Sequence, residues 1–252
     1  MRFRKHEHIK SPHGSSIVWR YMNLEKFLDL LVNKRLFFTN AANLTDGYEV
    51  SLPVNLVKAR RKQLMEKGLS GRDLEEELAI FEHNNRPMRD LTLVNCWSLG
   101  RNESYALWKI YLGGAKGGVA IRTNFSRLKK SVLSTEDDYP EDIYAGKVQY
   151  RDYLPESELS RFRIVTTKRE FYRYEEELRL FILHVPQSEG GVRPPYEVSV
   201  GRHVNVDLET LVDEIYLSPF VAEWFGDALE TVVKRVAPKL AARLKISSIR
   251  DE

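Results

Sequence analysis

The chain has one cysteine, Cys96, among 252 residues, so no internal disulfide can form. A lone thiol fits a reducing compartment, and a cytoplasmic protein is expected. No apolar run approaches the ~20 residues a membrane helix needs, so no membrane span is expected. The opening stretch MRFRKHEHIKSPHGSS is basic and polar, without the apolar core of a secretory signal. A large excess of one charge is also missing, because 39 Lys and Arg face 36 Asp and Glu. The glycine-rich GGAKGG (113–118) lacks the Gly-Lys-Ser/Thr of a phosphate loop and does not open a helix after a strand. It reads as a turn. Cys96 has no second cysteine with which to share zinc, and His6, His8 and His13 lie in a polar terminal stretch without supporting partners. No metal site is expected from these residues, and Cys96 reads as a small buried hydrophobe.

What is present is enough for a packed core: 42% hydrophobic and 30% charged residues. Residues 1–15 read as a flexible tail and 16–252 as a single domain. IVWRYM (17–22) reads as a strand, followed by a helix from Asn23 as N-cap, with Leu24, Phe27, Leu28 and Leu31 at helical spacing. LFFT (36–39) is a second strand, and 40–49 a polar loop turning at Asp46-Gly47. Residues 52–86 carry two helical pieces, broken near Gly68 and Gly71, that read as an insertion. Further strands are expected at 91–98, 117–123, 143–150 and 177–185, a hairpin at 196–206 around Gly201, and a last strand at 212–219. Helices are expected at 103–112, with Ala106, Leu107, Ile110 and Tyr111 inward, at 156–174, and at 221–236. Strands outnumber βαβ units. The fold class is therefore α+β: a mixed, largely antiparallel central sheet with peripheral helices and a helical insertion at about 52–86.

Basic residues gather at Lys234, Arg235, Lys239, Arg243, Lys245 and Arg250, with smaller clusters at Arg60-Arg61-Lys62 and Lys129-Lys130. Such clusters can meet phosphate backbones, but a solvated helix flank is the commoner use. Four other features point to chemistry. Arg20, between Trp19 and Tyr21 on an apolar strand, needs an internal carboxylate or a bound anion. Asp46 and Glu49 sit together on a loop. Ser98 ends the Cys96-Trp97-Ser98 strand, ahead of the segment carrying Trp108 and Tyr111. In YEEELR, a strand from 177 puts Glu175, Glu177 and Arg179 on one face, with Glu176 turned away.

In order, these features are Arg20-Tyr21, Asn43, Asp46, Tyr48-Glu49, Cys96-Trp97-Ser98, Trp108, Tyr111, Gly118-Val119, Ile121, Val148, Tyr150, Lys168, Tyr174-Glu175, Glu177 and Arg179. The set resembles a bacterial family catalogued as a domain of unknown function, some of whose members are associated with abortive infection. The resemblance covers about residues 17–237. It departs where Gly47-Tyr48 replaces the family's Pro-Phe and Leu107 its Met.

The order Arg, Ser, Glu-x-Glu is also similar to that of ADP-ribosyltransferases of the Arg–Ser–Glu type, by analogy. That likeness implies NAD as substrate, with Glu177, Glu175 and Ser98 catalytic. Arg20, Tyr21, Trp97, Trp108, Tyr111 and Arg179 would bind the dinucleotide, and a nucleic acid or protein would be the acceptor. Glu177 would hold the ribose 2′-hydroxyl and stabilise the cationic sugar, while Glu175 would orient or deprotonate the acceptor. Two alternatives remain open. In a metal-dependent nuclease, Asp46, Glu49, Glu175 and Glu177 would gather Mg²⁺, with Lys168 near the phosphate. In a non-catalytic sensor or adaptor, the charged cluster would serve stability. Oligomeric state is not legible in the residues.

Overall fold

The computed structural model describes residues 2–85, 87–133, 141–183 and 200–249. The elements run β1 (Ile17–Asn23), α1 (Leu24–Asn33), β2 (Arg35–Asn40), α2 (Val54–Glu66), α3 (Gly71–Asn85), α4 (Pro87–Asp90), β3 (Thr92–Leu99) and α5 (Tyr105–Leu112). There follow β4 (Gly118–Asn124), α6 (Phe125–Ser131), β5 (Ile143–Lys147), β6 (Gln149–Tyr150), α7 (Arg161–Val165), β7 (Thr167–Lys168) and β8 (Glu177–Leu183). The chain ends with β9 (Gly201–Asn205), α8 (Leu208–Leu211), β10 (Glu214–Leu217), α9 (Glu223–Val236) and β11 (Leu244–Ile246). The class is α+β with a mixed, mostly antiparallel central sheet. Among the described residues no helix is long and apolar enough to cross a membrane.

The sheet runs β11-β10-β4-β1-β3-β2-β9, with β8 on the other edge of β3 and β5 beyond it. β8 pairs with β3 along its length, from Thr92↔Leu183 to Ser98↔Glu177. The opposite edge of β3 is shared by two strands. β1 pairs only at Val18↔Leu99 and Trp19↔Ser98, and β2 only at Thr39↔Val94 and Asn40↔Leu93. Between these contacts β1 and β2 diverge and the sheet opens. Asn95 spans the opening: its side chain donates to Phe37 O at 2.8 Å and accepts from Trp97 Nε1 at 2.8 Å. Below the opening, the apolar face of α1 (Phe27, Leu30, Leu31) closes the main core with Val18, Trp97, Ile121 and Leu178. Asn23 caps α1 as expected, accepting from Lys26 N–H.

Several expectations need correction. Residues 156–174 are not one helix. Ser160 caps the short α7, and the hydroxyls of Thr166 and Thr167 turn back to the Phe162 and Arg163 carbonyls, ending it after one turn. β7 follows, then a 3₁₀ turn over Glu170–Glu175. The 143–150 strand divides into β5 and β6 around Val148. β10 is not the last strand, because β11 lies parallel beside it. The first arm of the expected hairpin, 196–199, lies outside the described residues, and β9 pairs with β2.

The amino-terminal segment is docked. Arg4 N–H donates to Ile143 O at 2.9 Å, Lys147 N–H to Lys10 O at 2.8 Å, and the His6 ring stacks on Phe162 at 3.7 Å. It thereby covers the free edge of β5. On α5 the buried side is Leu107, Trp108 and Leu112, whereas Ala106, Ile110 and Tyr111 are exposed. Three residues of the basic carboxy-terminal run are tied to acids, Lys234 to Glu230 at 2.6 Å, Lys239 to Glu209 at 3.0 Å, and Lys245 to Glu214, while Arg243 donates to the Glu209 and Val212 carbonyls. Arg250 lies outside the described residues.

Gly118 opens β4 opposite Asn23, where an added Cβ would lie 2.7 Å from Met22 O and against Leu112. Neither the β1 backbone nor α5 can retreat without opening the sheet. Gly118→Val is expected to lower stability by about 1–3 kcal/mol, read as a fall in the urea midpoint at unchanged slope.

Candidate functional site

The opening between β1 and β2 is a cavity of about 750 Å³. Arg20, Tyr21, Trp97, Ser98, Tyr111, Glu49, Glu175 and Glu177 all line it. Residues paired across neighbouring strands share a face. Trp19, Ser98 and Glu177 therefore lie on one side of the sheet, and Arg20 lies on the other, toward α1. The cavity joins them because the sheet is open there.

Arg20 supplies the positive side. Its guanidinium sits over the Trp97 ring at 5.7 Å. Its Nη1 is buried without a hydrogen-bond partner, and no carboxylate among the described residues pairs with it. Burial lowers its pKa. The residue as a whole is half-buried, and a guanidinium so placed without a carboxylate partner can meet something anionic.

The opposite side is an ion cluster. Arg179 is fully buried and every nitrogen is engaged: Nε donates to Glu177 Oε1 at 2.7 Å and Nη2 to Glu177 Oε2 at 3.0 Å. Nη2 also meets Glu49, and Nη1 donates to Val165 O at 3.0 Å. Lys168 Nζ lies 2.7 Å from Glu175, 3.2 Å from Glu49 and 3.5 Å from Glu177. Three carboxylates thus surround two cations.

Local backbone turns make the convergence possible. Asp46 accepts from Tyr48 N–H at 3.0 Å and turns the loop, and Val50 takes a left-handed φ of 55° just after Glu49. A β-branched residue there is strained. Glu176 also has a left-handed φ, 42°, which turns its own side chain to solvent and aims Glu175 and Glu177 at the same ammonium. Tyr150 Oη accepts from Glu177 N–H at 2.7 Å and holds the start of β8.

Burial would raise the Glu177 pKa, but Arg179 and Lys168 outweigh it and bring it down to about 2. For Glu175, burial outweighs the Lys168 bond, and its pKa is raised. The two carboxylates, two residues apart, are therefore driven in opposite directions, one kept ionised and the other made more basic. Burial acts to lower the Lys168 pKa, but Glu177, Glu49 and Glu175 leave it raised, so the ammonium stays charged. Burial and Glu177 push the Cys96 thiol up, so it is not a thiolate nucleophile.

Some sequence candidates fall elsewhere. Trp108 is fully buried and donates to Glu103 at 3.0 Å, so it braces α5 instead of facing a ligand. Arg179 has no nitrogen free for a dinucleotide and positions the carboxylates instead. Tyr21 is buried, its hydroxyl accepting from Ser104 N–H at 2.8 Å. It stacks behind Tyr111, which is 39% exposed and presents the usable aromatic surface. Asp46 is engaged outside this cavity, with Arg169 at 3.0 Å. Lys168, expected near a phosphate in the nuclease alternative, is instead the hub of the three carboxylates. It stands seven and nine residues before the two glutamates it meets, a spacing that alone does not show the ion cluster. Because its ammonium fills the middle of the carboxylates, these side chains as arranged do not offer Mg²⁺ a cage. Among the described residues no three His, Cys, Asp or Glu are arranged to hold a metal ion.

No protein-family model matches the chain, and neither curated proteins nor solved structures yield a match. The chemistry is therefore argued from the side chains.

The low pKa of Glu177 links the cluster to stability. A depressed carboxyl stabilises the fold above its unfolded value, and that contribution is lost as pH falls from about 4.5 toward about 2. The loss is on the order of 3 kcal/mol. Glu177→Gln is expected to lower stability at neutral pH by about 3–5 kcal/mol and to flatten the acid limb of a urea-unfolding series against pH. An acid limb unchanged by the substitution would show that Glu177 is not its source.

Proposed function

We propose that the chain is an ADP-ribosyltransferase-like enzyme that uses NAD as substrate, of the toxin or phage-defence kind that the family resemblance suggests. One observation carries the reading: Arg20, Ser98, Glu175 and Glu177, from separate parts of the sequence, line one cavity, and Arg20 has no carboxylate partner in it. A volume of 750 Å³ suits a dinucleotide-sized ligand. The charge layout suits one with an anionic middle and a cationic end. Arg20, with Lys26 at the rim, meets the pyrophosphate, and the carboxylates meet the nicotinamide ribose.

In the reaction, the bond from ribose C1′ to the pyridinium nitrogen breaks. Its electron pair stays on that nitrogen, so nicotinamide leaves neutral. The cationic sugar is stabilised by Glu177, which stays ionised and keeps lone pairs free beyond its bonds to Arg179. Ser98, directly across the strand pair from Glu177, lines the same cavity and orients the ribose. Water or an acceptor supplies the new electron pair to C1′, and its proton passes to Glu175, the more basic carboxylate. Tyr111 offers its ring to the nicotinamide.

One observation favours a non-catalytic sensor or adaptor: both oxygens of Glu177 are already bonded to Arg179. Turnover decides between the two. Purified protein is expected to release nicotinamide from NAD, with or without added nucleic acid or lysate. Ser98→Ala and Glu175→Gln are each expected to reduce release by about 10²-fold, and Glu177→Gln by about 10²–10³-fold. No release under any of these conditions would favour the adaptor.

A further inference from the structure

Away from the cavity, one carboxylate gathers four donors. Glu103, just before α5, accepts from Trp108 Nε1 at 3.0 Å and Ser247 Oγ at 2.6 Å with one oxygen. Its other oxygen accepts from Ser248 N–H at 2.8 Å and Ser248 Oγ at 3.0 Å. The next residue, Ser104, caps α5 by accepting from Leu107 N–H at 3.3 Å and donates its own N–H to Tyr21 Oη at 2.8 Å. Two consecutive residues therefore fix the polar ends of two buried rings. Trp108 meets Tyr21 edge-on, with ring centres 5.0 Å apart, and Tyr21 lies nearly parallel to Tyr111, at 15° and 6.2 Å. Tyr111 alone of the three is exposed, and it lines the cavity between β1 and β2.

The tie reaches beyond α5. Ser247 and Ser248 directly follow β11, Ser247 is buried, and Ile249 packs with Trp19, Tyr21 and Trp108. A carboxylate suits this junction. The buried indole N–H of Trp108 needs an acceptor, and three further donors converge on the same group. An ionised glutamate accepts with both oxygens, whereas a glutamine has a single oxygen that can take two of the four and an amide that only donates. Neither Glu103 nor Ser247 lines the cavity, so any effect on a ligand there passes through the rings.

We propose that Glu103 is a positioning residue for Tyr111: through Trp108 and Tyr21 it sets the ring face offered to the nicotinamide. The inference rests on the transferase reading for what Tyr111 meets. Loosening the stack removes a contact made equally before and during cleavage of the C1′–nitrogen bond. It therefore weakens binding of NAD without slowing the chemical step.

The test is the steady-state kinetics of nicotinamide release by the full chain carrying Glu103→Gln or Ser247→Ala, each checked for folding by circular dichroism and urea midpoint. KM for NAD is expected to rise by up to about tenfold in Glu103→Gln and by less in Ser247→Ala, with kcat within about twofold of wild type. ADP-ribose lacks the nicotinamide ring and is expected to bind both variants as tightly as wild type by calorimetry, a split that general loosening of the fold would not produce. In the Tyr111→Ala background, Glu103→Gln is expected to add nothing. An unchanged KM, an equal fall in ADP-ribose affinity, or additive losses in the double variant would overturn this inference and leave the transferase reading standing. No nicotinamide release by the wild-type chain would overturn both.

Discussion

A guanidinium with no access to water must be neutralised where it lies, and Arg179 sets that condition for much of this fold. It sits mid-strand on β8, in the interior of the sheet. Its charge is met by Glu177 from the same strand and by Glu49 from the loop after β2. Glu49 and Glu177 in turn need Lys168, from β7, and Lys168 recruits Glu175. Two stretches distant in sequence, the loop carrying Glu49 and residues 168–179, are therefore held by one charge requirement. Removing any member strands a buried charge, at a cost of roughly 3–5 kcal/mol. Replacing the whole set by apolar residues would cost far less. Retention of the charges fits a use other than stability.

The proposed use draws on the open sheet. β1 and β2 share one edge of β3 but meet it at opposite ends, so the middle of β3 faces a cavity instead of a neighbouring strand. The ion cluster lines one side of the opening and Arg20 the other. The cluster shapes a rigid carboxylate wall, with one glutamate ionised and its neighbour made basic. Arg20 leaves a positive charge unmatched. A ligand that supplies an anion on one side and a developing cation on the other would satisfy both, as the proposed dinucleotide substrate would on losing nicotinamide.

Much of this was readable in the sequence where local rules governed. β8 begins at Glu177 as expected, because its apolar run and alternation leave little choice of register. Asn23 as a cap and the two-helix insertion were likewise local signals. Arg20 was recognised as a charge in need of a partner, which is a statement about burial and not about geometry. The failures were tertiary. Arg179 reads like a ligand-binding residue until Glu49 arrives from a loop 130 positions away. Trp108 reads as part of a wall until the pitch of α5 turns it inward. β11 is three residues long inside a basic stretch, too short for alternation to show. Threonine hydroxyls that bond back to their own helix ended α7 where apolar spacing suggested continuation.

The claim on which the account rests is that the opening between β1 and β2 is a dinucleotide site with Arg20 as its anion anchor. Calorimetric titration of ADP-ribose tests it without requiring turnover, using the wild-type chain beside Arg20→Gln. The account predicts one binding event per chain and a loss of roughly 1.5–3 kcal/mol in the variant, the worth of a hydrogen bond to a charged group. No heat with either protein, or equal affinity in both, would contradict it.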